Sequence, residues 1–381
     1  VKRIFKRLAN FYGLEDDEEI VDIIEKVIQY HDAGKLHPEW RIGSEVTHSD
    51  KSVEYYCRKK GDKDLSEIDY LIAFLILRHH GALTPRIGFD DKCIKSIGDS
   101  FGTYSHNTLR FWFFNRFSFE KRVKLADSYG LFKIADCLSA SGSTSFTPQK
   151  PIVGASDIES LLNDSRRRRT QEAIANLGRL GFLRAPTGWG KTIASPLYLL
   201  NKSVNKVFFI FPTVTAINKL YDRFENIFGD KIDKYFYFYD VEVYGKGYES
   251  IDTGRKIFWS RYFLKPYMIT SVDQFLLSFL HVGNYHMKRV MFRNSAIIFD
   301  EIHLLNSRML YLLLHFLSTF WKEYGFSVLF MSATLTNGLK GAIEEFMREK
   351  VQELRDIIFD GKDFVDLLEE YRKLSRVKIE T

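Results

Sequence analysis

The stretch Ala185-Pro-Thr-Gly-Trp-Gly-Lys-Thr192 decides how this chain is read. It lies between an apolar run, Gly181 to Arg184, and a segment with helical character from Thr192 to Leu200. Glycines at 188 and 190 let successive backbone N–H groups converge on an anion without Cβ obstruction, which makes a phosphate cradle. Thr187, Gly188 and Gly190 would wrap the phosphates, Lys191 would reach the terminal ones, and the Thr192 hydroxyl would hold magnesium. Downstream, Asp300-Glu-Ile-His303 follows the apolar run Ala296-Ile-Ile-Phe299. Asp300 there would complete the metal's surroundings, and Glu301 could accept a proton from water attacking a γ-phosphate. A nucleoside triphosphate with Mg²⁺ is the ligand this pattern asks for.

Around this stretch, apolar runs alternate with helical ones, the signature of a parallel sheet wrapped by helices. Strands are expected at Phe182–Ala185, Lys206–Phe211, Tyr267–Thr270, Ser295–Phe299 and Ser327–Met331. Ligands of such sheets sit at the carboxyl ends of the strands, so one crevice can collect Lys191, Pro212-Thr213, Thr270, Asp300 and Ser332. His303, Ser332 and Thr334 are candidates for coupling nucleotide state to a polymer groove. After Thr334 the sequence reads as charged and helical.

The first half reads differently. Val1–Tyr12, Glu19–Tyr30, Thr47–Arg58, Ser66–His79 and Arg116–Ala140 carry apolar residues at helical spacing, with few strand signals. Histidines and aspartates gather at the ends of these helices: His31-Asp32, His48, His79-His80 and Asp136. Adjacent residues in a helix point about 100° apart, so a His-Asp pair shares one ion only from a helix terminus, or serves two ions bridged by the aspartate. Imidazoles with carboxylates suit manganese, iron, nickel, cobalt or zinc. Lys35, three residues beyond Asp32, could meet a phosphate or orient a nucleophile. Histidines 37, 106, 281, 286 and 315 fit no such pattern and read as structural.

His31-Asp32-x-x-Lys35, His48, His79-His80-Gly81 and Ala135-Asp136-x-Leu138-Ser139 resemble, in order, the HD phosphohydrolase superfamily. The resemblance implies a divalent transition metal site (Mn, Ni, Co or Fe), with two ions in the intact protein. Asp32 and Lys35 would serve the chemistry as well as the site. The superfamily's two-metal version adds a histidine upstream that Val1–Tyr30 lacks, so that ligand is expected before Val1. The second half, through the phosphate cradle, Phe211-Pro-Thr213, Thr270-Ser-Val-Asp-Gln274, Asp-Glu-Ile-His and Ser332-Ala-Thr334, resembles the superfamily 2 helicases over about 166–340. Gln171 falls where such proteins place an adenine-reading glutamine, which favours ATP.

An HD domain ahead of such a motor resembles the type I CRISPR-associated nuclease-helicases. That pairing implies a multidomain α and α/β chain: an all-α HD domain over 1–150, then one RecA-like lobe over 151–381, with the second lobe absent. It implies a metal-dependent single-stranded DNA nuclease coupled to an ATP-dependent 3′–5′ translocase, recruited by an RNA-guided surveillance complex. The missing lobe would supply an arginine finger worth roughly 10³ to 10⁵ in rate, so weak ATP turnover and no unwinding are expected of this chain alone. Two other readings fit the same residues: an HD nucleotide phosphohydrolase fused to a regulatory ATPase, and a non-catalytic ATP-gated nucleic-acid-binding module.

Composition sets outer bounds. The chain has 381 residues with 45% hydrophobic content, enough for two or three packed domains. Net charge is only +6, from 55 basic and 49 acidic residues, so contacts with nucleic acid must come from local patches. The Arg166–Arg169 run is read as a solvated helix face in preference to such a patch. Cys57, Cys93 and Cys137 form no Cys-x-x-Cys pair, which argues against disulfides or a thiolate zinc site and suits a reducing cytoplasm. No signal peptide or membrane span is evident. A monomer is expected. Ser139–Ser156, rich in Ser, Gly, Thr and Pro, has linker composition, and a chain starting at Val1 reads as an excised piece.

Overall fold

The computed structural model describes residues 1–42, 47–61, 65–81, 116–143, 146–151, 173–245, 251–280, 282–354 and 363–368. The chain divides into two compact units: residues 1–148 with 277–290, and residues 149–276 with 291–381. No composition shift or linker marks Leu277–Val290 as leaving the second unit for the first.

Described elements of the first unit are helical. Helix α1 (Lys2–Tyr12) buries Ile4, Phe5, Leu8, Ala9 and Tyr12 along one stripe. Helix α2 (Glu18–Tyr30) starts at Asp17, whose side chain accepts from the Ile20 N–H, and buries Ile20, Ile23, Ile24 and Val27. A short 3₁₀ turn, Ala33–Leu36, follows His31-Asp32. Helix α3 (His48–Lys60) is capped by Thr47, and α4 (Glu67–Leu77) by a Ser66–Asp69 capping box. The long α5 (Phe119–Ala140) buries Tyr129, Leu131, Phe132, Ile134, Ala135 and Leu138 and packs against α1 and α2.

The second unit is built on a parallel sheet. Its strands are β1 (Leu180–Arg184), β2 (Lys206–Phe211), β3 (Ile232–Tyr235), β4 (Tyr267–Ser271), β5 (Ser295–Phe299), β6 (Ser327–Ser332) and β7 (Phe364–Asp366), in the spatial order β3-β4-β2-β5-β6-β1-β7. β2, β4, β5 and β6 are buried at every position, as expected of strands covered on both faces. All five expected strands form, within a residue or two of the anticipated ends.

Three features differ from the sequence reading. β3 escaped notice because Ile232-Asp-Lys-Tyr235 is short and half charged; its buried Asp233 is satisfied by the Ser260 hydroxyl at 2.6 Å and the Lys234 N–H at 2.8 Å. The region after Thr334 is not helical throughout. Following the helix Asn337–Lys350, residues 364–366 pair with β1, and Arg184 binds Asp366. The helix expected over Thr192–Leu200 is only Lys191–Ala194 before it tightens into 3₁₀ over Ser195–Leu199. Pro196 explains this, since it has no N–H for the fourth carbonyl before it and its ring crowds that turn. Among the described residues no helix is long and apolar enough to cross a membrane.

Candidate active sites

In the second unit every strand runs the same way, so the segments following β1 and β5 meet at one edge of the sheet. Gly188 and Gly190 both have positive φ, 79° and 97°, the backbone twist a phosphate cradle needs. Thr187 and Gly188 are exposed at the tip of the turn, while Lys191 is buried at its base. The Thr192 hydroxyl donates to Asp300 Oδ2 at 2.7 Å, and the Lys191 ammonium lies 2.5 Å from Glu301 Oε1. Asp300 is almost wholly buried, and that burial pushes its carboxyl upward. Glu301 takes a left-handed backbone, φ 52°, unusual for a residue with a side chain. Its other oxygen is 3.3 Å from His303 Nδ1; that nitrogen is 2.8 Å from Ser332 Oγ, which accepts from the Thr334 N–H at 3.0 Å. His303, Ser332 and Thr334 are therefore hydrogen-bonded to one another beside Glu301, whose Oε2 has no hydrogen bond among the described residues. Gln171 and Arg166–Arg169 lie outside the described residues.

In the first unit the six predicted ligands converge. They form two groups, His31–Asp32–Asp136 and His48–His79–His80, each offering ligand atoms within 4.8 Å of one another. His31 Nε2 lies 3.3 Å from Asp136 Oδ1 and 3.5 Å from Asp32 Oδ2. His48 Nε2 lies 3.2 Å from His79 Nε2 and 2.8 Å from His80 Nε2. Asp32 touches both groups, with Oδ2 toward His31 and Oδ1 at 3.3 Å from His48 Nε2 and 3.9 Å from His79 Nε2. Lys35 pairs with Asp32 Oδ2 at 2.8 Å.

The local chain explains how adjacent ligands share one place. His31 ends α2, and Asp32 leads into the 3₁₀ turn, so neither is fixed at helical spacing. α4 ends at Leu77, and Arg78–Gly81 is a turn closed by Gly81 N–H to Arg78 carbonyl at 2.9 Å, with the two histidines at its centre. His31 Nδ1 and His79 Nδ1 donate to the carbonyls of Ile28 and Ile76, at 2.9 and 2.7 Å. With those protons on Nδ1, the Nε2 lone pairs are available to an ion, the arrangement usual for metal-bound imidazole. Burial keeps His79 neutral, down to about 3, and lowers His48 and His80 as well. Burial also opposes charge on His31, but the hydrogen bond and charge of Asp136 outweigh it and raise that imidazole. The donor set thus fits divalent transition metals, with an imidazole-only group beside an anionic one.

Ser52 was not anticipated. Buried on α3, it donates to the His31 carbonyl at 2.7 Å and accepts from the Gly34 N–H at 2.8 Å, tying the His-Asp turn to the helix that begins with His48. Its only trace in the sequence is its place one helical turn after His48.

Residues 167–341 match the DEAD/DEAH box helicase family. A putative CRISPR-associated nuclease/helicase Cas3 of Methanocaldococcus jannaschii is 29% identical over 212 residues, covering 50% of this chain and 28% of that protein. Over that half the chain is similar to Cas3. Solved structures of T. fusca Cas3 with AMPPNP and with ADP each cover 91% of this chain at a TM-score of 0.58 and 17% and 18% identity. At such identity the likeness to Cas3 is one of fold. The chain spans 47% of the length of each of those structures.

Proposed function

We propose that this Cas3-like chain is the nuclease and first motor lobe of a type I CRISPR interference enzyme, with an HD nuclease domain over 1–150, joined by Leu277–Val290, and an ATP-binding RecA-like lobe over the rest of 151–381. The observation that carries the nuclease half is Asp32, whose two carboxylate oxygens face two separate ligand groups. Manganese, nickel, cobalt or iron ions bound there would supply a hydroxide at neutral pH and stabilise the charge of a phosphodiester displacement. Within that centre, His31, Asp136 and Asp32 hold the anionic side, and His48, His79 and His80 hold the neutral side. Lys35, on Asp32 and partly exposed, is placed to meet a non-bridging phosphate oxygen of the DNA.

In the lobe, Lys191 and the glycine turn would bind the phosphates of ATP, Thr192 and Asp300 would hold Mg²⁺, and Glu301 would orient the attacking water. Gln171 reads the adenine. His303, Ser332 and Thr334, hydrogen-bonded to one another with His303 Nδ1 3.3 Å from Glu301 Oε2, relay nucleotide state to the DNA groove. The strand is single-stranded DNA, translocated 3′ to 5′ in the cytoplasm by a monomer that an RNA-guided surveillance complex recruits.

The test is cleavage of single-stranded DNA by purified protein with Mn²⁺, against Asp32→Ala, with a panel of free nucleotides in parallel. Cleavage lost in the variant is expected. Turnover of free nucleotides alone would favour a nucleotide phosphohydrolase, and no bound metal with no cleavage would favour a binding module.

A further inference from the structure

The return segment Leu277–Val290, which belongs to the helical unit, contacts α5 at three successive places. Arg289 is buried against Asp127, with Nη2 at 3.0 Å and Nε at 3.1 Å from Oδ1. The His286 carbonyl runs so close to Gly130 that a Cβ there would lie 2.4 Å from its oxygen. Asn284 Oδ1 accepts from the Lys133 ammonium at 2.9 Å. Asp127, Gly130 and Lys133 follow at three-residue steps along α5, and the next step is Asp136.

Lys133 is the unusual member. Its ammonium is buried, and among the described residues its hydrogen-bond partners are two neutral oxygens: Asn284 Oδ1 and the Gly81 carbonyl, at 2.6 Å. Burial brings it down to about 8. For filling space alone a buried cation hydrogen-bonded to no carboxylate among the described residues is a poor choice, since methionine has nearly the same length and no desolvation cost. Its second partner gives it a use. Gly81 closes the turn that carries His79 and His80, beyond the end of α4, where helical hydrogen bonds no longer fix the backbone. His79 is also anchored through Nδ1 to Ile76, whereas His80 is exposed and has no such backbone anchor among the described residues.

We propose that Lys133 is a positioning residue of the metal centre: by holding the Gly81 carbonyl against α5, it aims His80 at His48 and completes the imidazole group. Asn284 fixes the ammonium in place. The inference rests on the metal-centre reading above. The ammonium repels a cation bound nearby, so loss of its charge alone would strengthen metal binding; loss of its hydrogen bond to Gly81 would weaken it.

The experiment is Mn²⁺ titration of the full chain, followed by calorimetry and by electron paramagnetic resonance, which separates coupled ion pairs from single ions. Lys133→Met is compared with wild type and with Arg289→Met, which removes a different buried contact of the same segment; melting temperatures are recorded for all three. For Lys133→Met, affinity for the ion in the imidazole group is expected to fall about tenfold or more, the range typical of residues that orient ligands. The coupled-pair signal should disappear, with the ion at His31–Asp32–Asp136 held within about threefold. Asn284→Ala should show a smaller loss of the same kind. Unchanged binding in Lys133→Met overturns the proposal, as does a loss spread equally over both ions or shared by Arg289→Met at a similar melting temperature. Wild-type protein that binds no Mn²⁺ overturns the metal centre itself, and the positioning role falls with it.

Discussion

The Lys191 ammonium rests 2.5 Å from the Glu301 carboxylate, so the cation expected to grip phosphate is already held by the acid expected to orient water. Binding of Mg²⁺ and nucleotide is expected to replace that pair with Lys191–phosphate contacts. Glu301→Gln removes the competing charge but keeps the shape. Affinity for AMPPNP should therefore stay within about threefold of wild type or improve, while DNA-stimulated phosphate release falls about a hundredfold or more. Thermal shift with AMPPNP and a phosphate-release assay measure the two halves. Weakened binding in this variant would mean that Glu301 supports the phosphate site and does not compete for its lysine.

The neighbouring contact, Thr192 hydroxyl to Asp300, lies deeper. Thr192→Val keeps the shape and removes a donor from a buried carboxylate, which retains the Glu301 N–H at 2.8 Å. The expected cost is about 1–3 kcal/mol in denaturant unfolding, together with loss of the Mg²⁺-dependent part of the nucleotide thermal shift. A variant as stable as wild type would show that the hydroxyl is not needed to satisfy Asp300.

Ser52→Ala strips partners from the His31 carbonyl and the Gly34 N–H together. Each is a buried backbone group, so stability should drop by about 1–3 kcal/mol by the shift of the urea midpoint. Mn²⁺ affinity should fall too, because the turn that places Asp32 is then fixed less firmly. Lost stability with full affinity would separate Ser52 from the metal centre.

Lys206 gives a pH dependence in the other unit. Its amine is buried and donates to the Lys265 carbonyl at 2.7 Å, and burial brings it to about 7 from 10.5. Between those values the unfolded chain holds a proton that the folded chain does not. The folded state therefore gains stability as pH rises through this window and loses it as pH falls toward 7. Lys206→Met should melt above wild type at pH 7, with the gap narrowing toward pH 10. A gap that does not change with pH would show that the amine stays charged when folded.

The nucleotide half was legible because its information is local. A glycine turn between a strand and a helix, and an acidic pair after an apolar run, carry their geometry within a few residues, and parallel strands bring such segments to one edge. The helix that fails at Pro196 was legible in principle too, through the proline itself. β3 and β7 were not. Each is short and carries charge, and each becomes a strand only because a neighbour offers hydrogen bonds to it.

The sequence alone fixed which imidazoles and carboxylates could meet, since their order and their places at helix ends limit the choices. What only the folded chain decided is how they divide: Asp32 between two groups, Ser52 beneath it, and Lys133 reaching from α5 to the Gly81 carbonyl while Leu277–Val290 joins the helical unit. These are contacts between residues far apart along the chain, made by single polar atoms with no repeating pattern. Periodicity reports which face of an element is buried, and it carries no record of which distant atom that face will meet.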